Sequence, residues 1–258
     1  MRRSLLIPVL IGSLALVLAA ATEADVFQSG NVRVKFNAAF DPHALPRRSP
    51  APIKVEITGS IATTDGSHPP ALRWLEIELN RHGRLTTTGL PVCSAAVLQS
   101  TTTGQALARC GPSVVGRGDF EAEVSLGGDV AAAGKIIAFN SRLDGRSALM
   151  LHFFARVPVR FTLVVPLRIV RRYRGDFGTL LRTRVPKLAG GLGSITKIDL
   201  TVWRRYSLQG KRQSYLAAAC PAPAHVDLVP FAFARARFRF EGHPEIHTTV
   251  LDSCRVRA

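Results

Sequence analysis

A short segment near the C-terminus of this 258-residue chain contains two histidines and a glutamate at alternate positions, His243-Pro244-Glu245-Ile246-His247. An extended backbone would direct His243, Glu245 and His247 to one face, and imidazole and carboxylate groups are zinc ligands. Pro244 suits a turn or a sheet edge better than a regular strand, and the segment is not an HExxH motif. We therefore expect no metal site, and these three residues are the ones that would form it if one existed.

Four cysteines, Cys93, Cys110, Cys220 and Cys254, are an even number, as a disulfide framework requires. Pairing of nearest neighbours predicts Cys93 with Cys110 and Cys220 with Cys254, although two other pairings are open. The alternative is a zinc site of four thiolates, which the absence of any CxxC pair disfavours. Disulfides indicate an oxidising compartment.

The stretch FAFARARFRF (231–240) alternates like a strand whose alternate residues point to opposite faces. One face would carry Ala232, Ala234, Ala236, Phe238 and Phe240 toward the core. The other would begin with Phe231 and Phe233 and end in three guanidinium groups about 7 Å apart. We call Arg235, Arg237 and Arg239 the arginine row. Such a row matches phosphate or carboxylate oxygens, and the alternative is a solvated strand face that discourages edge pairing.

A second group of arginines flanks a predicted turn at Gly175 to Gly178, where a hairpin would gather them near one tip. With a formal net charge of +16, both groups predict an anionic partner, namely an envelope polymer or a phospholipid surface. Intracellular nucleic acid is excluded because the chain is predicted to be exported. The second group comprises Arg168, Arg171, Arg172, Arg174, Arg182 and Arg184.

No local catalytic motif is present. The chain has no GxSxG motif and no SxxK motif with its companions, and no free cysteine remains once both disulfides form. The glycines at 190–193 do not match a dinucleotide-binding fingerprint. The sequence therefore favours a non-catalytic protein without a cofactor, and a hydrolase with dispersed active-site residues is an alternative.

The segments that must position these residues read as strands. Apolar side chains occur at every second position, as half-buried strands show, in Ile53 to Ile57, Leu75 to Leu79 and Val159 to Ile169. Frequent turn signals between them predict a mainly β protein, either an antiparallel β-sandwich or an open half-barrel. The segment from Cys93 to Cys110 is the exception. It predicts two short helices, the second capped by Thr102 or Thr103.

Arg2 and Arg3, followed by an apolar run and small residues, predict a signal peptide over residues 1–24 and a single β-rich domain over residues 25–258. No permanent membrane span is expected after cleavage. We therefore predict a secreted or cell-envelope location.

Around the predicted helices, Gly89-Leu90-Pro91 before Cys93, Ala106-Leu107-Ala108 before Cys110, and Val114-Val115-Gly116 with Gly118 form a block of about thirty residues. This block resembles a group of uncharacterised exported proteins of actinobacterial type. The resemblance implies a secreted β-rich protein of unknown function. It transfers no catalytic or binding residue.

Together these features predict an exported, non-catalytic protein that binds an anionic polymer or surface through arginine-rich strand faces. An alternative is a carrier that holds a hydrophobic ligand in a cavity enclosed by the curved sheet. Residues expected to line that cavity are Leu151, Phe153, Phe161 and Leu163.

Overall fold

The computed structural model describes residues 26–158 and 160–257, so the predicted signal peptide at 1–24 lies outside the described residues. The described chain is mainly β, as predicted, with two α-helices and single 3₁₀ turns at Gly111–Ser113 and Ala189–Gly191. The elements are β1 (Val26–Ser29), β2 (Val32–Asp41), β3 (Ala44–Leu45), β4 (Ala51–Pro52), β5 (Lys54–Thr63), β6 (Leu72–Asn80), β7 (Gly83–Leu85), α1 (Ala95–Leu98), α2 (Thr103–Cys110), β8 (Val114–Ser125), β9 (Asp129–Leu143), β10 (Arg146–Ala155), β11 (Phe161–Arg174), β12 (Phe177–Arg184), β13 (Gly193–Val202), β14 (Arg205–Leu208), β15 (Lys211–Ser214), β16 (Leu216–Ala218), β17 (Leu228–Phe240) and β18 (Ile246–Val256).

One sheet of 13 strands dominates the fold, in the order β1-β2-β5-β13-β8-β9-β10-β11-β12-β6-β17-β18-β3. Neighbouring strands are antiparallel except β18 and β3, which are parallel. The sheet curls into a half-barrel, so the half-barrel prediction is confirmed and the sandwich is not found. Two insertions are non-local in sequence, since β13 lies between β5 and β8 and β6 lies between β12 and β17.

The two ends of the curled sheet meet through aromatic side chains. Phe36 and Phe40 on β2 contact phenylalanines of β17, with ring centroids 5.7 Å apart for Phe36 and Phe238 and 5.2 Å for Phe40 and Phe233. Within residues 26–158 and 160–257, no backbone ladder joins β1 or β2 to β17 or β18. We call this contact the seam. Packing of side chains therefore joins β2 to β17, which backbone hydrogen bonds do not.

The predicted faces of the stretch 231–240 are wrong at its N-terminal end because β17 contains a β-bulge at Phe233, between Ala232 and Ala234. A bulge adds one residue to a strand and so shifts the inward and outward alternation. Phe231 and Phe233 consequently lie on the inner face with Ala234, Ala236 and Phe238, and Ala232 points outward beside exposed Leu251. The four phenylalanines of this stretch serve the core, and three of them reach the seam or the cavity described below.

A small sheet of β4, β16 and β7 lies against one end of the half-barrel. Leu85, Leu216 and Ala218 of this sheet are buried in the main core. The disulfide between Cys220 and Cys254 joins the chain just after β16 to β18, with Cα atoms 5.7 Å apart. The covalent bond therefore fixes the small sheet to the strand that borders the seam.

The predicted helical segment forms a compact corner on the outer face of β9 and β10. The helices α1 and α2 are found where predicted, and Thr102 caps α2 through a reciprocal capping box with Gln105. The expected disulfide between Cys93 and Cys110 closes the segment. A second, smaller core lies beneath it, comprising Cys93, Leu98, Ala106, Cys110, Val114, Ile137, Phe139 and Met150.

The seam predicts a local effect of truncation. Phe40→Ala removes a side chain that is 2% exposed and should lower the free energy of unfolding by about 3–5 kcal/mol. Hydrogen exchange should also accelerate selectively in β2 and β18, because the packing that joins the sheet ends is lost.

Phe120→Ala is the matched control, since Phe120 is equally buried and packs against Phe153 and Phe161 away from the seam. A similar total loss of stability is expected without selective exchange in β2 and β18. Identical exchange maps for the two variants would contradict a structural role for the seam.

Candidate functional site

Each arginine of the row is paired with a carboxylate on the outer face. Arg235 and Arg237 are direct cross-strand partners of Glu78 and Glu76 in the ladder between β17 and β6. The Arg235 Nε and Nη2 atoms donate to Glu78 Oε2 at 2.8 and 2.5 Å, and Arg237 forms an ion pair with Glu76. Arg239 Nη2 donates to Glu245 Oε2 at 2.8 Å. The arginine row is therefore neutralised within the protein.

The pair of Arg235 and Glu78 is also a structural element. The Glu78 side chain is only 6% exposed, and the Arg235 guanidinium lies 4.6 Å from the centre of the Phe177 ring. Removing Arg235 would leave the buried Glu78 carboxylate without its charge partner. Loss of Arg235 would therefore disturb the fold as well as any ligand.

The predicted hairpin is formed by β11 and β12, and it carries the second group of arginines. Arg168 and Arg182 face each other across the ladder, and Arg168 forms an ion pair with Asp144. The group does not collect at one point, because Arg182 and Arg184 lie on β12 well away from the turn. Within residues 26–158 and 160–257, no carboxylate lies within ion-pair distance of exposed Arg171, Arg172, Arg174, Arg182 or Arg184.

The two arginine groups meet in one place. An open polar cleft of about 460 Å³ is bordered by the tip of the β11–β12 hairpin and by the outer face of β17 and β18. Arg174 supplies an unpaired guanidinium, and Asp176 contributes a negative charge at the same turn. The remaining lining residues are Gly175, Phe177, Arg235, Arg237 and His247.

An apolar cavity of about 180 Å³ lies on the inner face of the sheet. Its walls come from β2, β5, β6, β13 and β17, and the small sheet borders it at one end. Leu151, one of the four residues expected to line a ligand cavity, does line this one. Phe153 and Phe161 do not, because their rings pack against Phe120 with centroids 5.1 and 5.9 Å away, and Leu163 is buried in the core.

Side chains around this cavity are incompletely buried although they face inward. Leu75, Ile77 and Leu79 on β6 remain half-buried even though β12 and β17 flank that strand on both sides. The opposite wall shows the same property at Ile57, Ile61 and Ile198. Interiors are normally packed without voids of this size, so the pattern marks space that the chain itself does not fill.

One lining residue carries a buried polar group. Tyr215 is 0% exposed, and its hydroxyl has no hydrogen-bond partner among the residues that the structure describes. Burial raises the pKa of Tyr215 well above its usual value of 10, so the hydroxyl is protonated. A buried hydroxyl usually finds a partner, which makes this one an exception.

The segment at 243–247 does not assemble as a three-ligand metal site. Glu245 Oε2 accepts from Arg239, and its other oxygen lies 3.2 Å from His247 Nε2. His243 lies instead near Gly30 at the turn between β1 and β2. Pro244 precedes β18 outside any strand, as its residue type suggests.

The structure brings together a second set of residues of the types that bind metals, which the sequence analysis did not predict. His68, Glu123 and Asp129 offer ligand atoms within 4.8 Å of one another, and they are the one such group in the described part of the chain. His68 is separated from the two acidic residues by more than fifty positions. Only the placement of the loop before β6 beside the β8–β9 hairpin brings them together.

A hydroxyl beside an imidazole resembles part of a nucleophilic site but is structural here. Thr101 Oγ1 lies 3.0 Å from His152 Nε2, and it donates its own hydrogen to the Leu98 carbonyl at 2.6 Å. Both residues are buried, at 3% and 0% exposure, beneath the helical corner. The pair anchors the turn between α1 and α2 to β10 and offers no access to a substrate.

Comparison of the chain with models of known protein families, with curated proteins and with solved structures finds no match. Across residues 26–158 and 160–257, none of the helices has the length and apolar character needed to cross a membrane.

The buried imidazole predicts a pH dependence of stability. Burial lowers the pKa of His152 below its usual 6.5, partly offset by its hydrogen bond to Thr101. Between the lowered pKa and 6.5 the unfolded chain binds more protons than the folded chain, so stability falls as pH falls through this window. His152→Gln should reduce the slope by up to about 1.4 kcal/mol per pH unit, measured by urea unfolding between about pH 5 and pH 7.

His225→Gln is the control for the loss of an imidazole, because His225 is exposed and distant in sequence from His152. An unaltered slope in His152→Gln would show that the imidazole is not the titrating group.

Proposed function

We propose that this protein is an exported, non-catalytic carrier that binds a small apolar ligand in the cavity on the inner face of its half-barrel. The observation that supports this function is the ring of half-buried aliphatic side chains around a void of about 180 Å³. Proteins stabilise their interiors by filling space, so an unfilled apolar volume suits a guest that supplies the missing contacts.

The cavity volume limits the class of ligand. An engineered apolar cavity of about 150 Å³ stays dry and binds benzene, so this slightly larger cavity suits a small aromatic molecule or a short alkyl segment. Water is disfavoured because nearly all lining atoms are apolar and offer it too few hydrogen-bond partners.

Export to the envelope or the medium is the location we propose. The two disulfides indicate an oxidising environment, and the N-terminal pattern of Arg2, Arg3 and the following apolar run is typical of a signal peptide. An apolar ligand is poorly soluble in such an aqueous space, which gives a carrier a physical role there.

Cavity-filling and cavity-enlarging variants test the carrier function. Benzene at about 100 times its Kd should raise the free energy of unfolding of the oxidised protein by about 2.7 kcal/mol. Ile77→Phe should abolish this stabilisation because the ring occupies the void. Ile77→Ala should instead extend binding to bulkier alkylbenzenes, so the pair remains informative even if one variant folds poorly.

Leu251→Phe is the matched control, since Leu251 is 70% exposed on β18 and its enlargement leaves the cavity unchanged. Benzene should stabilise this variant like the parent protein. Equal stabilisation of the Ile77→Phe variant would place binding elsewhere and refute the carrier function.

A second candidate function is recognition of a phosphate or carboxylate group in the polar cleft. The observation that favours it is the meeting of Arg174 with Arg235, Arg237 and His247 around one open volume. The neutralised arginine row cannot attract a polyanion by charge alone. Arg174 therefore supplies most of the free positive charge at this site.

Polyphosphate titration tests this second candidate. Arg174→Ser should weaken binding about tenfold and reduce its salt dependence, because one charge-assisted hydrogen bond is lost. Arg174 is preferable to Arg235 as the test position, since its loss leaves no buried carboxylate unpaired.

Arg33→Ser makes the same change of charge at an exposed position of β2 and serves as the control. Equal weakening by both substitutions would indicate only the general positive field of the protein.

A further inference from the structure

We propose that His68, Glu123 and Asp129 form a binding site for a divalent transition-metal cation such as Zn²⁺. We call these three residues the cation cluster. The site lies on the outer face of the sheet, opposite the apolar cavity, and is independent of the proposed carrier function. It also differs from the segment at 243–247 that the sequence singles out.

The chain holds each ligand on a defined element. Glu123 lies near the end of β8 and Asp129 begins β9, on either side of a short hairpin turn. Ala122 and Val124, on either side of Glu123, are buried on the inner face, and so is Ala132, the cross-strand partner of Ala122, so both carboxylates project outward. Asp129 lies two positions before Ala131, the cross-strand partner of Glu123, which makes the acids diagonal neighbours.

A buried hydrogen bond positions His68 over this hairpin. Ser194 is the cross-strand partner of Glu123 in the ladder between β13 and β8. Its side chain is buried, and its Oγ donates to the carbonyl of Pro69 at 2.6 Å. The residue next to His68 is thus fixed to the strand that flanks Glu123.

The turn before His68 is fixed as well. The Asp65 carboxylate accepts from the backbone and side chain of Ser67 and from Asn31, and these hydrogen bonds lower the pKa of Asp65. The loop therefore enters the site with a defined path.

The distances match a tetrahedral ion. Zinc bonds of about 2.0–2.2 Å to nitrogen and oxygen place neighbouring ligand atoms about 3.3–3.6 Å apart. His68 Nδ1 lies 3.0 Å from Asp129 Oδ1, slightly below this range, and 3.6 Å from Glu123 Oε2, at its upper limit. The third pair of ligand atoms, from Glu123 and Asp129, lies within 4.8 Å, so a bound ion would have to draw the three side chains together.

The imidazole nitrogen has a second property that points to a cation. His68 Nδ1 is buried, and although Asp129 Oδ1 lies 3.0 Å away, no hydrogen bond joins Nδ1 to any described residue. Two carboxylates close together also repel each other unless a positive charge lies between them. A metal ion would supply both the missing partner of Nδ1 and this charge.

The chemistry of the donors favours a borderline metal. One imidazole and two carboxylates suit zinc better than calcium, which takes six to eight oxygen ligands. All four cysteines are used in disulfides, so thiolates do not compete for the ion. The three side chains are 26%, 35% and 42% exposed, so water can occupy a fourth position.

Titration of the chelator-stripped, oxidised full chain with ZnCl₂ tests the proposal, with calorimetry for affinity and Co²⁺ absorption for geometry. We expect one equivalent of Zn²⁺ to bind and Co²⁺ to give a tetrahedral visible spectrum. His68→Ala should weaken Zn²⁺ binding by more than the roughly 10–100-fold that loss of an outer-shell partner costs. Glu123→Gln and Asp129→Asn should each weaken it at least about tenfold.

Two controls separate this site from general attraction of cations. Asp119→Asn removes an exposed carboxylate on the same strand as Glu123, and His247→Gln removes an imidazole from the rival segment. Both should bind Zn²⁺ like the parent protein. The proposal is overturned if no equivalent of Zn²⁺ binds, if His68→Ala binds unchanged, or if only His247→Gln loses binding.

Discussion

The packing of phenylalanine rings between β2 and β17 is the contact on which the rest of this fold depends. Backbone pairing satisfies the interior strands of the 13-stranded sheet, but among the described residues no backbone ladder joins β2 to β17. Phe36 and Phe40 meet Phe233 and Phe238 at that gap and remove large apolar surfaces from water. Without this contact the inner face would lie open and the apolar cavity would lose one wall.

The outer face follows a different principle, because charge there is balanced between neighbouring strands. The cross-strand pairs of Arg235 with Glu78 and Arg237 with Glu76 place opposite charges side by side. A formal charge of +16 therefore does not mean a uniformly basic surface. Arg174, on the β11–β12 hairpin, has no ion-pair partner among the described residues, and it lines the polar cleft where that hairpin meets β17.

Patterns of residues close in sequence predicted the strands and helices well. The composition of the candidate sites depends instead on strand register and strand order. Strand alternation, the helices between Cys93 and Cys110 and the Thr102 cap depend on residues close in sequence, so they could be predicted. The bulge at Phe233 could not, since phenylalanine and alanine fit either face and no glycine marks the extra residue. Glu78 as the partner of Arg235, and His68 beside Asp129, depend on strand order and on contacts across 157 and 61 positions.

The two faces of the sheet are separated by the thickness of one strand, and adjacent residues of a strand point to opposite faces. Ser194 holds the Pro69 carbonyl beside the cation cluster, and the next residue, Ile195, lines the apolar cavity. The same relation holds on β8, where Glu123 lies between the inward-facing Ala122 and Val124. Binding at a site on one face of a strand can change a site on the other face only if it shifts the backbone of that strand. Since β8 and β13 are each paired on both sides, their backbone is held firmly, and occupation of the outer site should leave the shape of the cavity nearly unchanged.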